Sequence, residues 1–242
     1  MSSRDIKDSF KVGSRTVVVA DCDLRGDITI GSGTVLHPRC TILAVGGPII
    51  LGSNNIVEEN AVIVNRLKQP LVIGDNNLFE VGCRIESPSV GDWNTFGIRS
   101  RVSPFVEVGS NCVVGAGCIV LPSPFPAGSP FDARPSEPPS TSAATLDVPA
   151  SADTPMASLG PSPSGSPGPA SPSLSSTAPS PAPSAARSTP SDALADYTHV
   201  FGSENRRRTA SVEGTGQAKA LFVKHWEYLR ETLPKHHKLK MF

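Results

Sequence analysis

Aliphatic residues recur along the first half of the chain at a spacing of six. They stand at Val12, Val18, Leu24, Ile30, Leu36 and Ile42, then at Leu51, Val57 and Ile63, and at Ile73, Phe79 and Ile85. The series continues through Val90, Phe96, Val102, Val108, Val114 and Val120. Glycine often follows the aliphatic residue, as at Gly13, Gly31, Gly52, Gly74, Gly91 and Gly109. Four residues after it comes a small side chain such as Thr16, Cys22, Thr34, Cys40, Ala61, Cys83, Cys112 or Cys118. A six-residue period is the pattern of a parallel β-helix. It predicts about six coils of three short strands, with the aliphatic residue pointing inward and the small residue filling a corner. Glycine is expected to relieve strain at the turn. Identical positions then stack coil upon coil, each coil satisfying its neighbour's backbone groups.

The breaks in phase carry further information. Ile42 to Leu51 is nine residues, Ile63 to Ile73 is ten, and Ile85 to Val90 is five. With coils starting at Val12, Ile30, Leu51, Ile73, Val90 and Val108, each break follows the third strand. All excursions are therefore expected to leave by one corner.

Side chains alternate along a strand, so the residue before each inward aliphatic points out. On the second face those residues are Val17, Val35, Ile56, Leu78, Thr95 and Val113. This is a nearly unbroken apolar ladder on an outer wall, which in water is an interaction surface. The other two faces carry mixed residues, among them Lys11, Glu107, Asp23, Arg84 and Arg101.

Composition divides the rest of the chain. Residues 122–190 hold 18 of the 24 prolines and six charged side chains. Such a stretch buries too little apolar surface to offset the entropy of ordering it. The expected domain order is a β-helix over 1–121, a disordered Pro/Ser-rich insertion over 122–197, and a last short strand at 198–202. A basic segment, 203–242, follows, with nine Lys or Arg against four Glu. In it, Arg206-Arg207-Arg208-Thr209 reads as a solvated turn. Residues 217–232 read as an amphipathic helix, with Ala218, Leu221, Phe222, His225, Leu229 and Thr232 on one stripe and Pro234 as its stop. Leu221, Phe222 and Leu229 are expected to dock on the ladder of Val17, Val35, Ile56, Leu78 and Val113. What the helix leaves open, with the unpaired strand edge of a terminal coil, is the expected partner surface.

Charge and chemistry exclude more than they suggest. The chain has 22 basic and 22 acidic residues, so no global nucleic-acid footprint exists. The start, MSSRDIKDSFKVG, has no apolar core of a secretory signal, and no run of 18 apolar residues occurs. Five cysteines, all assigned to the small inward site, read as buried thiols in a reducing compartment. The repeat body holds one histidine, His37, followed by Pro38 at a corner. No G-x-S-x-G, phosphate loop or C-x-x-C is present. Glu58-Glu59 is a carboxylate pair at a turn without an evident acid–base partner. No catalytic, cofactor-binding or metal-binding residue is therefore assigned.

Certain runs resemble a known family. They are Leu24-Arg25-Gly26-Asp27-Ile28-Thr29-Ile30-Gly31, Val35-Leu36-His37-Pro38, and Gly47-Pro48-Ile49-Ile50-Leu51-Gly52 leading to Glu58-Glu59. Ile73-Gly74-Asp75-Asn76-Asn77-Leu78-Phe79-Glu80-Val81-Gly82-Cys83 and the Leu233-Pro234-Lys235-His236-His237 tail join them. Together, over about residues 10–121 and 198–240, they resemble the dynactin subunit 6 family of hexapeptide-repeat proteins. That resemblance implies a left-handed triangular β-helix, which the period alone does not fix. It also implies a non-catalytic adaptor subunit of dynactin's pointed-end complex, cytoplasmic and cytoskeletal, serving dynein-driven transport along microtubules. Implied partners are dynactin subunit 5 (a second β-helix), dynactin subunit 4 and the pointed-end actin-related protein. Hexapeptide-repeat proteins also include acyltransferases and zinc carbonic anhydrases. A divergent enzyme of those kinds is the alternative, but such acyltransferases generally use a histidine base and the anhydrases need three histidine ligands.

Deleting residues 128–188 is expected to leave the fold intact, because they lie outside the repeat phase. Thermal unfolding checks this: a midpoint lowered by more than about ten degrees would show that the segment packs.

Overall fold

A computed structural model describes residues 7–122, 192–212 and 215–242. The strands form a parallel β-solenoid with three faces. The first face has seven strands, from Ser9–Val12 to Asp192–Leu194. The second runs from Val17–Val18 through Val113–Val114 to Thr198–Phe201. The third has six strands, from Asp23–Arg25 to Ile119–Val120.

Register follows the six-residue period. On the first face Val12, Ile30, Leu51, Ile73, Val90, Val108 and Leu194 stack in turn. On the second, Val18, Leu36, Val57, Phe79, Phe96, Val114 and Val200 do so. On the third the stack is Leu24, Ile42, Ile63, Ile85, Val102 and Val120. All of these are buried except Val12 in the first coil, which is partly so. Phe79 and Phe96 lie face on face with centroids 5.0 Å apart. The excursions at 45–48, 66–70 and 86–88 all join a third-face strand to a first-face strand. Asn65 organises the longest: its Nδ2 donates to the carbonyls of Pro48 and Gln69, and its Oδ1 accepts from the Leu67 amide.

The corners depart from the sequence reading in two ways. Gly31, Gly52 and Gly74 do not take the left-handed conformation. They are glycines because a Cβ there would overlap the next coil: the Gly52 carbonyl, the Asp75 carboxylate and the Asp92 carboxylate respectively. The left-handed position comes two residues later, at Asn54 (φ 56°), Asn76 (57°), Trp93 (58°), Asn111 (57°) and Tyr197 (59°). Asparagine is a favoured non-glycine residue there; Trp and Tyr are costly.

Next to that column a polar ladder runs inside the solenoid. The Asn77 amide donates to Asn55 Oδ1 at 2.8 Å, Asn94 to Asn77 Oδ1 at 2.8 Å, and Cys112 to Asn94 Oδ1 at 2.7 Å. Asn55, Asn77 and Asn94 are buried, and each side chain supplies an acceptor for the amide one coil on. An outer ladder two residues earlier in the turn runs in the opposite sense, each side chain accepting from the amide of the preceding coil. Asp75 accepts from the Ser53 amide, Asp92 from Asp75, Ser110 from Asp92, and Asp196 from Ser110.

The tract at 123–191, which includes most of the expected insertion, lies outside the described residues. The solenoid resumes at Asp192–Leu194, earlier than the single strand expected at 198–202. Leu194 and Val200 are themselves six apart, with Thr198 at the small site. Arg206–Thr209 is a strand rather than a turn, antiparallel to Thr198–Phe201.

The helix spans Thr215–His236 and runs past Pro234. A proline in the last turn removes one amide donor, and the end is still closed by the His237 amide donating to the Leu233 carbonyl. The helix packs on the second face, near Val17–Val18 and Val35–Leu36. Its inward stripe is Phe222, Trp226, Leu229 and Leu233, steps of four, three and four. Leu221, placed on that stripe by the sequence, is 62% exposed. Leu229→Ala is expected to cost about 2–3 kcal/mol and Leu221→Ala less than about 0.5 kcal/mol. Urea unfolding of the two variants checks which face is docked.

Candidate partner-binding surface

The second face shows what the helix covers. Val17, Val35 and Ile56 point outward from their strands and are nevertheless buried, whereas Leu78 and Val113 further along are half-buried. Trp226 anchors the helix by donating Nε1–H to the Gly33 carbonyl at 2.7 Å, and the Arg230 guanidinium sits over its ring. Phe222 meets Trp93 edge-on with centroids 5.6 Å apart, and Lys219 Nζ lies over the Trp93 ring, 4.8 Å from its centroid. The left-handed turn at Trp93 thus brings a large aromatic from a solenoid corner to the helix. Sequence periodicity missed both tryptophans, because neither occupies a six-residue position; Trp226 was legible as i+4 from Phe222.

The segment after the helix closes one edge of the same sheet. Val19 and Leu239 form an antiparallel bridge, the Ala20 amide donates to the Lys238 carbonyl, and the Lys240 amide donates to Val18. Phe242 packs against Phe10 at 5.7 Å. At the other edge the Arg206–Thr209 strand covers Thr198–Phe201. The second face is therefore capped at both ends by the chain itself.

Beyond the helix a groove of about 500 Å³ remains on this face. Trp93, Thr95, Val113, Tyr197, His199, Arg208 and Lys219 are among its lining residues. Burial, and then the Arg208 charge, hold the His199 imidazole below its usual range.

Apolar surface stays open at the last coils. Ile119, Leu121 and Phe201 are exposed there, with Phe105 nearby in sequence at a turn. Among the described residues the third face has six strands and ends at Ile119–Val120, against seven and eight strands on the other two faces. Among the described residues, two side chains reach that edge: Asn205 Oδ1 accepts from the Ile119 amide, and Arg207 donates to the Leu121 carbonyl. The opposite edge is blunted by charge, with Arg25 paired to Asp23 at 3.0 Å.

His37 shares one corner of the solenoid with the carboxylates of Glu58, Glu59 and Glu80. His37 is buried, and its Nδ1 lies 3.0 Å from Glu59 Oε1. Its Nε2 is also buried and makes no hydrogen bond among the described residues. Burial pushes the Glu58 carboxyl up, although His37 opposes it. Burial also acts on Glu59, but there the His37 hydrogen bond and charge outweigh it and the carboxyl falls below its usual range. Glu58 and Glu80 spend an oxygen each on the Val81 and Ile98 amides of the following coil. The pair read from sequence as lacking a partner is therefore engaged in coil stacking, with His37 as the neighbour of Glu59. Among the described residues no cluster of three His, Cys, Asp or Glu side chains is placed to hold a metal ion.

No protein-family model matches the chain. It is 39% identical over 119 residues to dynactin subunit 6 of Danio rerio, covering 44% of this chain and 61% of that protein. It is 37% identical over 125 residues to dynactin subunit 6 of Nematostella vectensis, covering 47% and 68%. The match thus spans about three fifths to two thirds of these relatives' own length. Among solved structures, a hexapeptide transferase family protein from Anaplasma phagocytophilum superposes with a TM-score of 0.57 at 12% identity, covering 93% of both chains. That likeness is one of fold, the left-handed parallel β-helix of hexapeptide-repeat transferases. With its register, its docked C-terminal helix and these relatives taken together, the chain belongs to the dynactin subunit 6 family.

Proposed function

We propose that the chain is a non-catalytic structural and adaptor subunit of dynactin's pointed-end complex. The observation that carries this reading is the family match over the repeat body, where relatives named as a dynactin subunit share its sequence. The chemistry of the body agrees with it. His37 is buried against Glu59, and Glu58 and Glu80 at the same corner accept from backbone amides of the following coil. In this role the protein works in the cytoplasm with the cytoskeleton and supports dynein-driven transport along microtubules and cargo attachment. No helix among the described residues is long and apolar enough to cross a membrane.

Dynactin subunit 5, the second β-helix, is the partner we assign to the open end of the solenoid. Dynactin subunit 4 and the pointed-end actin-related protein are further partners in the assembly. Three features support the end as the contact. Among the described residues its third face has fewer strands than the other two, apolar side chains at Ile119, Leu121 and Phe201 stand exposed around it, and a parallel strand edge accepts another coil in the same register. The second face is poorly suited, since the helix already occupies much of it.

Co-expression with dynactin subunit 5 tests the assignment. The wild-type chain should co-purify with it. Ile119→Asp with Leu121→Asp should weaken capture by about tenfold or more, as expected for losing apolar anchors worth about 1–2 kcal/mol each. A chain that assembles only with itself and ignores that partner would contradict the reading.

A further inference from the structure

The five cysteines are all buried thiols, but only two of them touch. The small inward column at one corner reads Cys22, Cys40, Ala61, Cys83, Ser100 and Cys118 from coil to coil. Ala61 separates Cys40 from Cys83, and Ser100 separates Cys83 from Cys118. Cys112 stands in the other column, below Asn94. Cys22 and Cys40 alone are neighbours, with sulfur atoms 3.4 Å apart and Cys40 donating to Cys22. The next residues, Asp23 and Thr41, pair in register across parallel strands. Adjacent strands lie about 4.8 Å apart, inside the Cα separation a disulfide requires.

Position adds to the geometry. Cys22 belongs to the first coil, and the tail at Lys238–Lys240 lies over it. Lys240 Nζ donates to the Cys22 carbonyl at 2.9 Å, while its backbone amide holds Val18. Cys40 lies one coil deeper and is fully buried. The Cys40 hydrogen bond favours the Cys22 thiolate, opposed by burial and aided by the Lys240 charge. The same contact keeps Cys40 protonated. The two sulfurs are thus unequal: an outer one disposed to attack and an inner one held ready behind it.

We propose that Cys22 and Cys40 form a closable dithiol, which a peroxide converts to a disulfide joining the first two coils. The Cys22 thiolate attacks one peroxide oxygen; the S–O bond forms, the O–O bond breaks, and the departing oxygen leaves as water after taking a proton. The resulting sulfenic acid faces Cys40. Cys40 gives up its proton, its sulfur attacks Cys22, the S–S bond forms, and the S–O bond breaks to release a second water. The two thiols lose two electrons and two protons, and the peroxide is reduced to two waters. The closed form fixes coil one on coil two across an 18-residue separation and leaves Cys83, Cys112 and Cys118 as thiols.

The full chain, treated with hydrogen peroxide while folded and then alkylated and digested with trypsin, tests this. Cleavage after Arg15, Arg25, Arg39 and Arg66 places Cys22 in the peptide 16–25 and Cys40 in 40–66. The expected product is those two peptides joined, two hydrogens lighter than their sum, with the other three cysteines alkylated. The oxidised chain should melt about 5 °C or more above the reduced one, and dithiothreitol should return it. Cys40→Ala places the side chain found at Ala61 in the same column, so the variant should fold; it should give no linked peptide and stop at an oxidised Cys22. Absence of the 16–25/40–66 link in the folded wild type, a link to any other cysteine, or an unchanged melting point would each overturn the proposal.

Discussion

Coil-to-coil stacking through the backbone is the constraint from which the rest of this structure follows. A single coil of three short strands cannot bury its inward residues or satisfy its own amides. Each coil must sit about 4.8 Å from the next and in phase with it. The inward site then accepts only residues that stack on themselves, which is why Val, Ile, Leu and Phe recur down each wall. At the corners the same spacing brings backbones so close that Gly31, Gly52 and Gly74 have no room for a Cβ. Buried asparagines are tolerated because each closes the next coil's amide, and an unmade hydrogen bond in that interior would cost about 1–3 kcal/mol.

The same constraint explains where variation is allowed. Excursions leave where a third-face strand passes to a first-face strand, and Asn65 supplies the bonds that the longest one needs. The open edges are treated separately: the tail pairs with Val18–Ala20, Arg206–Thr209 caps the other end of that sheet, and charges blunt Asp23–Arg25. Among the described residues, the end near Ile119 combines a shorter third face with exposed apolar side chains. A fold built by stacking thereby offers stacking as its means of assembly.

Much of this was legible in the sequence. The six-residue period placed every inward aliphatic from Val12 to Val120 in its observed register, and the run Val17, Val35, Ile56 marked the wall the helix covers. Three features were not legible from the period. The left-handed corner is set by backbone geometry, and residues as different as Asn54, Trp93 and Tyr197 fill it. The asparagine ladder departs from the expectation of a small residue, because a polar side chain of the right length serves the same site by bonding across coils. Leu221 shares the helical stripe in the sequence yet faces water, and the bond of the Trp226 indole N–H to the Gly33 carbonyl depends on a tertiary contact that helical spacing does not encode. The strand at Asp192–Leu194 did obey the period; its neighbouring low-complexity tract concealed it.

Amide hydrogen exchange on the full chain tests whether inter-coil bonding holds the solenoid as one stack. The amides of Asn77, Asn94 and Cys112, bonded across coils inside the solenoid, should exchange slowest and at one common rate set by global unfolding. Exchange should be faster at Arg206–Thr209, whose side chains are exposed at the outermost strand. Fast, unequal exchange at Asn77, Asn94 and Cys112 while the helix amides of Phe222–Leu229 remain protected would contradict a single stack held by inter-coil bonding.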